Sequence, residues 1–509
     1  MKKSLTLCAL LVSCAYSSIS HEKKWAEFKT ALSDGANLFL KEDKGFQESI
    51  KRWQYWKSPD VQAVVKVRTE EDVQESIRFA NRHEIPFFIF TSGHGATQSF
   101  ETLKNSLQID LRYLDDIKIS PGGSSVTLGG GVKGANVAKY LHGHGKQTVT
   151  GVCECVGFVG VALGGGHGVL QGYHGFLTDQ ILSLRVVTAN GTLVTVSPTE
   201  NTDLWWAMRG AGHNFGIVTS LEYKIYDITE KQWSVEAFTF PATAEIFRKV
   251  YTQAKKNMAV QPEGITEGGF ITALPMPALN LAIIANMPLA QTQKYTQVYR
   301  DLGPLAIHAQ EGTLLDVPKM LGVDRTSAVC NREHGMSDIR MPVDIPTYNV
   351  EVLAQAMERF VQIATEYPEL GQSFVMTEQY PTQGVKKVDE RDTAVPGRRH
   401  DLLIAPDFVF ESLDREGNVN EGMEEFALKM GLEVRQMLVD GAKDMGGAMS
   451  YVNYAYGGED VEEMYGEDWR VEKLRALKKK FDPKGRFGWY NPFVEVNVDT
   501  ENGGHRSEL

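Results

Sequence analysis

The 509-residue chain reads as an α+β protein of two domains. Three observations carry that reading. From Val61 to Gly95 the order is strand, helix, strand, glycine loop: an α/β unit with a site at the carboxyl end of its second strand. Seventeen of the 55 residues from Pro121 to Gly175 are glycine, a density whose entropic cost needs a structural reason. From about Tyr226 the glycine density falls, and strands alternate with amphipathic helices to about Gly447, the pattern of a second α+β domain. Length agrees, because single cores stop growing at about 250–300 residues.

In chain order, the first 20 residues read as a secretory signal: Lys2 and Lys3, an apolar run from Leu5 to Val12, then small residues before a cut after Ser20. That run is too short to span a bilayer, and no other stretch reaches about 18 apolar residues, so no membrane anchor is expected. His21 to Lys57 reads as an amphipathic helical stretch ending in Trp53, Tyr55 and Trp56, aromatics assigned to the core. Val61 to Val67 is a strand. Thr69 caps a helix through Arg82, with Asp72 closing a capping box. Pro86 to Phe90 is a buried strand feeding the loop Thr91-Ser92-Gly93-His94-Gly95. Leu107 to Leu111 and Val126 to Leu128 are short strands.

Gly129-Gly130-Gly131-Val132-Lys133-Gly134 then opens a helix to Leu141 and matches a dinucleotide fingerprint. The Rossmann reading is set aside because the helix is short and ends in His142-Gly143-His144-Gly145. Glu154, at the ribose position, sits between two cysteines, and no run of alternating parallel strands and helices follows. Ile181 to Thr188 and Thr192 to Val196 are strands joined by the turn Ala189-Asn190-Gly191. Asp203 opens a short helix that closes on glycines, and Asn214 leads into another strand. Asp460 to Lys480 is helical, and the aromatic tail from Phe481 to Phe493 is expected to return to the first domain.

The net charge of −12 excludes a nucleic-acid partner, whose phosphates demand a basic face. After the signal, Cys153, Cys155 and Cys330 remain, and an odd count leaves at least one thiol with another role. Asn190-Gly191-Thr192 is a glycosylation sequon on a hairpin turn. The tail from His505 to Leu509 loosely resembles an endoplasmic-reticulum retrieval signal, the alternative to secretion. His142, His144, His167 and His174 lack metal-ligand spacing, so no metal is expected.

The loop from Thr91 to Gly95 and the stretch from Gly151 to Gly175 read as one site for a large anionic cofactor. Runs of bare N–H groups in such loops seat phosphate oxygens. Cys153 and Cys155 stand at the mouth of the second loop.

Five motifs in order now point further: FIFTSGHG; GVCECVGFVGVALGGGHG followed by the stretch ending at Asp179; DLWWAMRGAGHNFGIVTS; Tyr451-Val452-Asn453-Tyr454; and FDPKGRFGWYNPF. Over about residues 57–225 and 448–493 the chain resembles the berberine-bridge-enzyme-like flavin oxidases of the vanillyl-alcohol-oxidase superfamily, in their fungal branch. The resemblance implies a PCMH-type two-lobed FAD-binding domain (residues 21–226) and an α+β substrate domain with an antiparallel sheet (227–447). It also implies a C-terminal return (448–500) before the tail 501–509. It assigns cofactor contacts to Ser92, Gly93, His94, Gly95, Cys153, Gly157, Gly160, Gly164, Gly165, Gly166, His167, Gly168, Asp179, Gly216, Ile217, Val218 and Asn491.

Within that pattern His94 matches the histidine linked to the flavin 8α methyl, and Cys153 the cysteine linked to C6. Cys155 leaves the choice of thiol open, with Cys153 favoured. Imidazole and thiolate are the nucleophiles such bonds require. Tyr454 matches the catalytic base region. A phenol with an ordinary pKa near ~10 needs a helper, and the residues do not name one; Tyr451 and Asn453 are placed on the same strand.

The implied activity is an FAD-dependent oxidase that removes a hydride from a C–H bond next to oxygen or nitrogen. Its substrate is a small molecule, first a fungal secondary-metabolite intermediate, and dioxygen accepts the electrons. A secreted oligosaccharide oxidase, a dehydrogenase, and a protein whose structural flavin supports non-redox cyclisation or binding are the alternatives.

Overall fold

The computed structural model describes residues 23–332, 335–413 and 417–494. The expected signal peptide and the tail 501–509 lie outside them. The helix Glu70–Arg82 starts where Thr69 and Asp72 satisfy its first amides. Asp72 N–H donates to Thr69 Oγ1 at 3.2 Å, and Thr69 N–H to Asp72 Oδ2 at 3.0 Å. Its apolar face, with Val73, Ile77, Phe79 and Ala80, shares a core with a four-stranded sheet. The sheet order is Asn37–Leu40, Val61–Lys66, Ser106–Asp110, Phe87–Phe90. Of its three pairings the first is antiparallel and the other two are parallel.

Asn37–Leu40 corrects the helical reading of His21 to Lys57. The first helix covers only residues 23–31. Gly35 turns the chain at φ +93°, and the next residues find backbone partners in Ala63–Lys66, a pairing that local periodicity cannot reveal.

The second lobe is a five-stranded antiparallel sheet ordered Ile117–Ile119, Ser125–Gly129, Ile217–Lys224, Ile181–Val187, Leu193–Val196. Its topology agrees with setting the Rossmann reading aside. Added Cβ atoms on Gly129, Gly130 and Gly131 would stand 2.2, 2.1 and 1.8 Å from the carbonyl oxygens of Leu114, Val218 and Leu111. These glycines serve main-chain packing.

The third part is an eight-stranded antiparallel sheet ordered Ala306–Gly312, Trp233–Pro241, Ala278–Ala285, Ile265–Thr272, Phe374–Gln379, Leu402–Glu411, Met336–Arg340, with Val343–Ile345 also on Leu402–Glu411. The helices Ala244–Met258, Val350–Glu366 and Glu421–Ala442 share its core through Phe247, Tyr251, Met357, Phe360 and Val434. Among the described residues no helix is long and apolar enough to cross a membrane.

The C-terminal stretch expected as one helix is two, Val461–Tyr465 and Asp468–Phe481, broken at Gly466 with φ +86°. The chain then runs back against the first two lobes. Lys478 donates to the carbonyl of Asn214 at 2.6 Å and to Asp482 at 2.7 Å, while Phe487 meets Phe87 edge-on at 5.5 Å. Lys478 and Asp482 are buried, so removing one partner strands a charge, which costs about 3–5 kcal/mol. We expect Lys478→Met to lower the denaturant midpoint far more than Lys480→Met. The latter breaks only the exposed pair with Asp203, worth under about 1 kcal/mol. Equal midpoints would show that the returning segment does not depend on this pair.

Candidate active site

The strand Phe87–Phe90 delivers the loop Thr91 to Gly95. Gly93 adopts φ +76°, and a Cβ there would meet the Cα of Arg52 at 3.0 Å. The amides of Gly93, His94 and Gly95 donate to no acceptor among the described residues. Arg52 Nη2 steadies the loop by donating to the Gly95 carbonyl at 2.8 Å.

The His94 ring stacks on Trp53 with centroids 4.4 Å apart, and its nitrogens have no hydrogen-bond partner among the described residues. Burial first, then the charges of Arg340 and Arg332, lower its pKa to about 3, so the imidazole is neutral at ordinary pH. Trp53 therefore departs from the core role expected for it. Trp56 is core, 1% exposed, whereas Trp53 is the plate under His94 and lies 3.8 Å from the Arg332 guanidinium.

The second loop docks on the first. Ser92 Oγ accepts from Gly157 N–H at 3.1 Å, and a Cβ on Gly157 would stand 2.8 Å from Thr91 Oγ1. Gly157 precedes the helix Phe158–Leu163, in which Gly160 faces open space and its carbonyl meets His213 Nε2 at 2.7 Å. Cys155 is bonded to Cys330, and Cys153 is the free thiol. Burial raises the Cys153 pKa, opposed by the Cys155 N–H and by Arg340.

Gly164, Gly165, Gly166 and His167 line a cavity with Phe176, Tyr451 and Val395. Gly165 and Gly166 adopt φ +103° and +85°. Gly168 is packed against the carbonyl of Thr150. His167 bonds Gln171 at 2.9 Å, stacks on Tyr380 at 4.9 Å, and is held neutral by burial, with a pKa of about 4.

Tyr451 and Tyr454 do not sit on a strand as expected. They occupy a turn in which Tyr454 N–H donates to the Tyr451 carbonyl at 2.8 Å, and their rings meet edge-on at 5.0 Å. Arg340, Glu378 and Tyr380, which the sequence reading missed, surround them. Arg340, at the end of Met336–Arg340, lies 4.6 Å over the Tyr454 ring. Glu378, near the end of Phe374–Gln379, takes the Tyr380 hydroxyl on Oε1 at 2.8 Å. Its Oε2 is buried without a partner among the described residues. Burial raises the pKa values of both Glu378 and Tyr454; the Glu378 charge raises Tyr454 further, whereas the hydroxyls of Tyr380 and Tyr454 lower Glu378, and Arg340 pulls both down. No local signal marks Glu378 or Arg340, because strand pairing alone carries them to Tyr454.

Arg340 is itself held by two carboxylates, donating to Asp407 at 2.8 Å and Asp338 at 3.2 Å; Arg332 adds a contact to Asp338 at 2.6 Å. The arginines depress Asp338, while burial beside it pushes Asp407 up to about 8. His94, Cys153, His167, Glu378, Tyr451 and Tyr454 are all partly accessible, and the Arg340 charge reaches His94, Cys153, Glu378 and Tyr454 in common. Other assigned residues are engaged by the protein itself. Asp179 is spent on buried Arg398, at 2.7 and 3.0 Å. Gly216, Ile217 and Val218 enter the buried strand Ile217–Lys224, and Asn491 donates to the Val452 carbonyl at 2.8 Å.

A family model described as "FAD binding domain" matches residues 61–197, and one described as "Berberine and berberine like" matches residues 450–492. An FAD-linked oxidoreductase of Penicillium rubens is 36% identical over 483 residues, 93% of this chain and 94% of its own. The chain belongs to the berberine-bridge-enzyme-like FAD-linked oxidoreductases. The FAD-linked oxidoreductase of Gibberella zeae is 35% identical to this enzyme over 510 aligned positions, 96% of this chain and 98% of its own. The fold is shared with a xylooligosaccharide oxidase from Myceliophthora thermophila (20% identity, TM-score 0.77, 92% and 99% coverage). It is also shared with a 6-hydroxy-D-nicotine oxidase from Arthrobacter nicotinovorans (22%, 0.75, 91% and 98%).

FAD fits the residues present. Amides at Gly93 to Gly95 without acceptors among the described residues suit anionic oxygens, Gly160 leaves room, and a neutral imidazole and a free thiol stand in the two docked loops.

The shared proton at Asp407 has a thermodynamic signature. The folded enzyme keeps it up to about pH 8, whereas the unfolded chain sheds it near the ordinary value of 3.8. That stabilisation is complete below the ordinary value and is lost as pH rises toward about 8. The depressed histidines His94, His167 and His213 act oppositely below their ordinary 6.5, so the comparison is with a variant. The melting temperature of Asp407→Asn, minus that of the parent, is expected to grow between pH 5 and pH 9; a flat difference would refute the protonated Asp407.

Proposed function

We propose that this FAD-linked oxidoreductase is an oxidase that removes a hydride from a C–H bond next to oxygen or nitrogen in a small molecule, with dioxygen as the final electron acceptor. The observation that carries the reading is the unpartnered Glu378 carboxylate oxygen beside the Tyr454 phenol, under the Arg340 cation. FAD, when bound, supplies the two-electron acceptor for the hydride. The chain's own part is the proton. Tyr454 takes the proton of the substrate O–H or N–H as it passes its own to Glu378, and Arg340 offsets the negative charge that this transfer moves. Tyr380, bonded to the other Glu378 oxygen, fixes the carboxylate plane.

The reading includes covalent attachment through His94 and Cys153. Support comes from a neutral His94 with free ring nitrogens and from Cys155 being occupied by Cys330. A structural neighbour, the glucooligosaccharide oxidase from Acremonium strictum, is described with a 6-S-cysteinyl, 8α-N1-histidyl FAD. The Cys155–Cys330 disulfide also supports a secretory location, where such bonds persist.

Aromatic walls from Tyr380, Tyr451, Tyr454 and Phe176 favour a planar secondary-metabolite intermediate as substrate. One observation favours an oligosaccharide instead: a cavity of about 160 Å³ beside Tyr380 is lined by Gln261, Thr382, Gln383, Lys386 and Asp401, groups that bond hydroxyls. Anaerobic flavin bleaching by phenolic alcohols but not by oligosaccharides is the expected result, and the reverse order would select the second reading.

Acid-precipitated enzyme is expected to stay yellow, and His94→Ala/Cys153→Ala to release its flavin. A colourless parental pellet would refute the tethers. Tyr454→Phe and Glu378→Gln should each slow anaerobic flavin reduction by about 10²–10⁴-fold with little change in KM. Reduction at the parental rate in both would overturn the proton assignment.

A further inference from the structure

Three sulfurs meet beside the second glycine loop. Cys153 Sγ lies 3.5 Å from Cys155 Sγ and 4.0 Å from Cys330 Sγ, and the last two are bonded to each other. Among the described residues this is the one group of His, Cys, Asp and Glu ligand atoms close enough together for a metal ion, but two of its three sulfurs are already bonded. The arrangement instead suits thiol–disulfide exchange, in which a thiolate attacks one sulfur of a disulfide and the other leaves.

The chain around Cys330 crosses the cofactor loop. Glu154 N–H donates to the Val323 carbonyl at 3.1 Å, Arg325 N–H to the Glu154 carboxylate at 2.9 Å, and Trp53 Nε1 to the Val329 carbonyl at 2.6 Å. This segment is therefore seated on the loop by polar contacts that do not need the disulfide. Cys155, two residues from Cys153, is the first sulfur that Cys153 meets as the chain is made. Cys330 arrives 175 residues later than Cys155.

We propose that Cys330 is a resolving thiol that assigns Cys153 to the cofactor. A Cys153–Cys155 disulfide, formed from two thiols as a disulfide oxidant such as oxidised glutathione is reduced to two thiols, is attacked at Cys155 Sγ by the Cys330 thiolate. The Cys155–Cys330 bond forms, the Cys153–Cys155 bond breaks, and the proton lost from Cys330 is regained by Cys153. No net oxidation accompanies this exchange. The outcome is the observed pairing, with Cys153 as the one thiol left to meet the flavin. The inference rests on the reading of Cys153 as a flavin anchor, and it adds the residue that decides between the two neighbouring cysteines.

The test compares Cys330→Ser, Cys155→Ser/Cys330→Ser and the parent, each made as full-length holoenzyme, treated with oxidised glutathione and mapped by peptide mass spectrometry with thiol alkylation. In Cys330→Ser, Cys153 should be found joined to Cys155 and the cysteinyl-flavin peptide lost, with the histidyl peptide kept. The double variant has no competing thiol, so the cysteinyl-flavin peptide should return. A disulfide that only stiffened the fold would leave the double variant no better than the single. That result, or Cys153 and Cys155 both alkylated in Cys330→Ser, would overturn the proposal. A parent lacking any cysteinyl-flavin peptide would overturn the anchor reading instead, while the Cys153–Cys155 bond in Cys330→Ser would still report on the resolving role.

Discussion

One guanidinium organises the electrostatics of this enzyme. Arg340 stands over the Tyr454 ring, and its charge reaches His94, Cys153, Glu378 and Tyr490. A cation in such surroundings must be neutralised, and two carboxylates do so while repelling each other. The compromise is a proton retained between them, with Asp338 ionised and Asp407 held up. Arg340 thus adds to the burial that keeps His94 uncharged, moderates the cost of a thiolate at Cys153, and opposes the desolvation that raises Tyr454 and Glu378.

The groups that surround this cation come from every part of the fold. The four-stranded sheet presents His94, the second lobe presents Cys153 and the Gly164 to His167 turn, the eight-stranded sheet presents Arg340 and Glu378, and the C-terminal turn presents Tyr454. Each arrives on backbone fixed by its own hydrogen bonds, such as Gly157 on Ser92 and Tyr454 on Tyr451. This explains two of the glycines: Gly93 lies where two backbones approach too closely for a side chain, and Gly157 where the Thr91 and Ser92 side chains fill the space.

Local signals were legible and long-range ones were not. Thr69 with Asp72, and Asn190-Gly191 between two strands, read directly because their partners lie within four residues. His94 and Cys153 were legible through their motif setting. The strand Asn37–Leu40 was hidden because its partner starts 23 residues on, and Trp53 was misread because aromatic character does not say which ring faces the core. The fingerprint at Gly129 to Gly134 was set aside on its sequence setting, and the antiparallel sheet and the carbonyls packed against Gly129, Gly130 and Gly131 agree. Glu378 and Arg340 carry no motif; sheet register alone brings them to the phenol.

The bond between Cys155 and Cys330 has a mechanical consequence. It joins the loop beside the free thiol Cys153 to the segment that precedes Met336–Arg340, the strand that carries Asp338 and Arg340. Two segments 175 residues apart in sequence are thus pinned to each other at one point beside the glycine loop, which limits how far they can separate there.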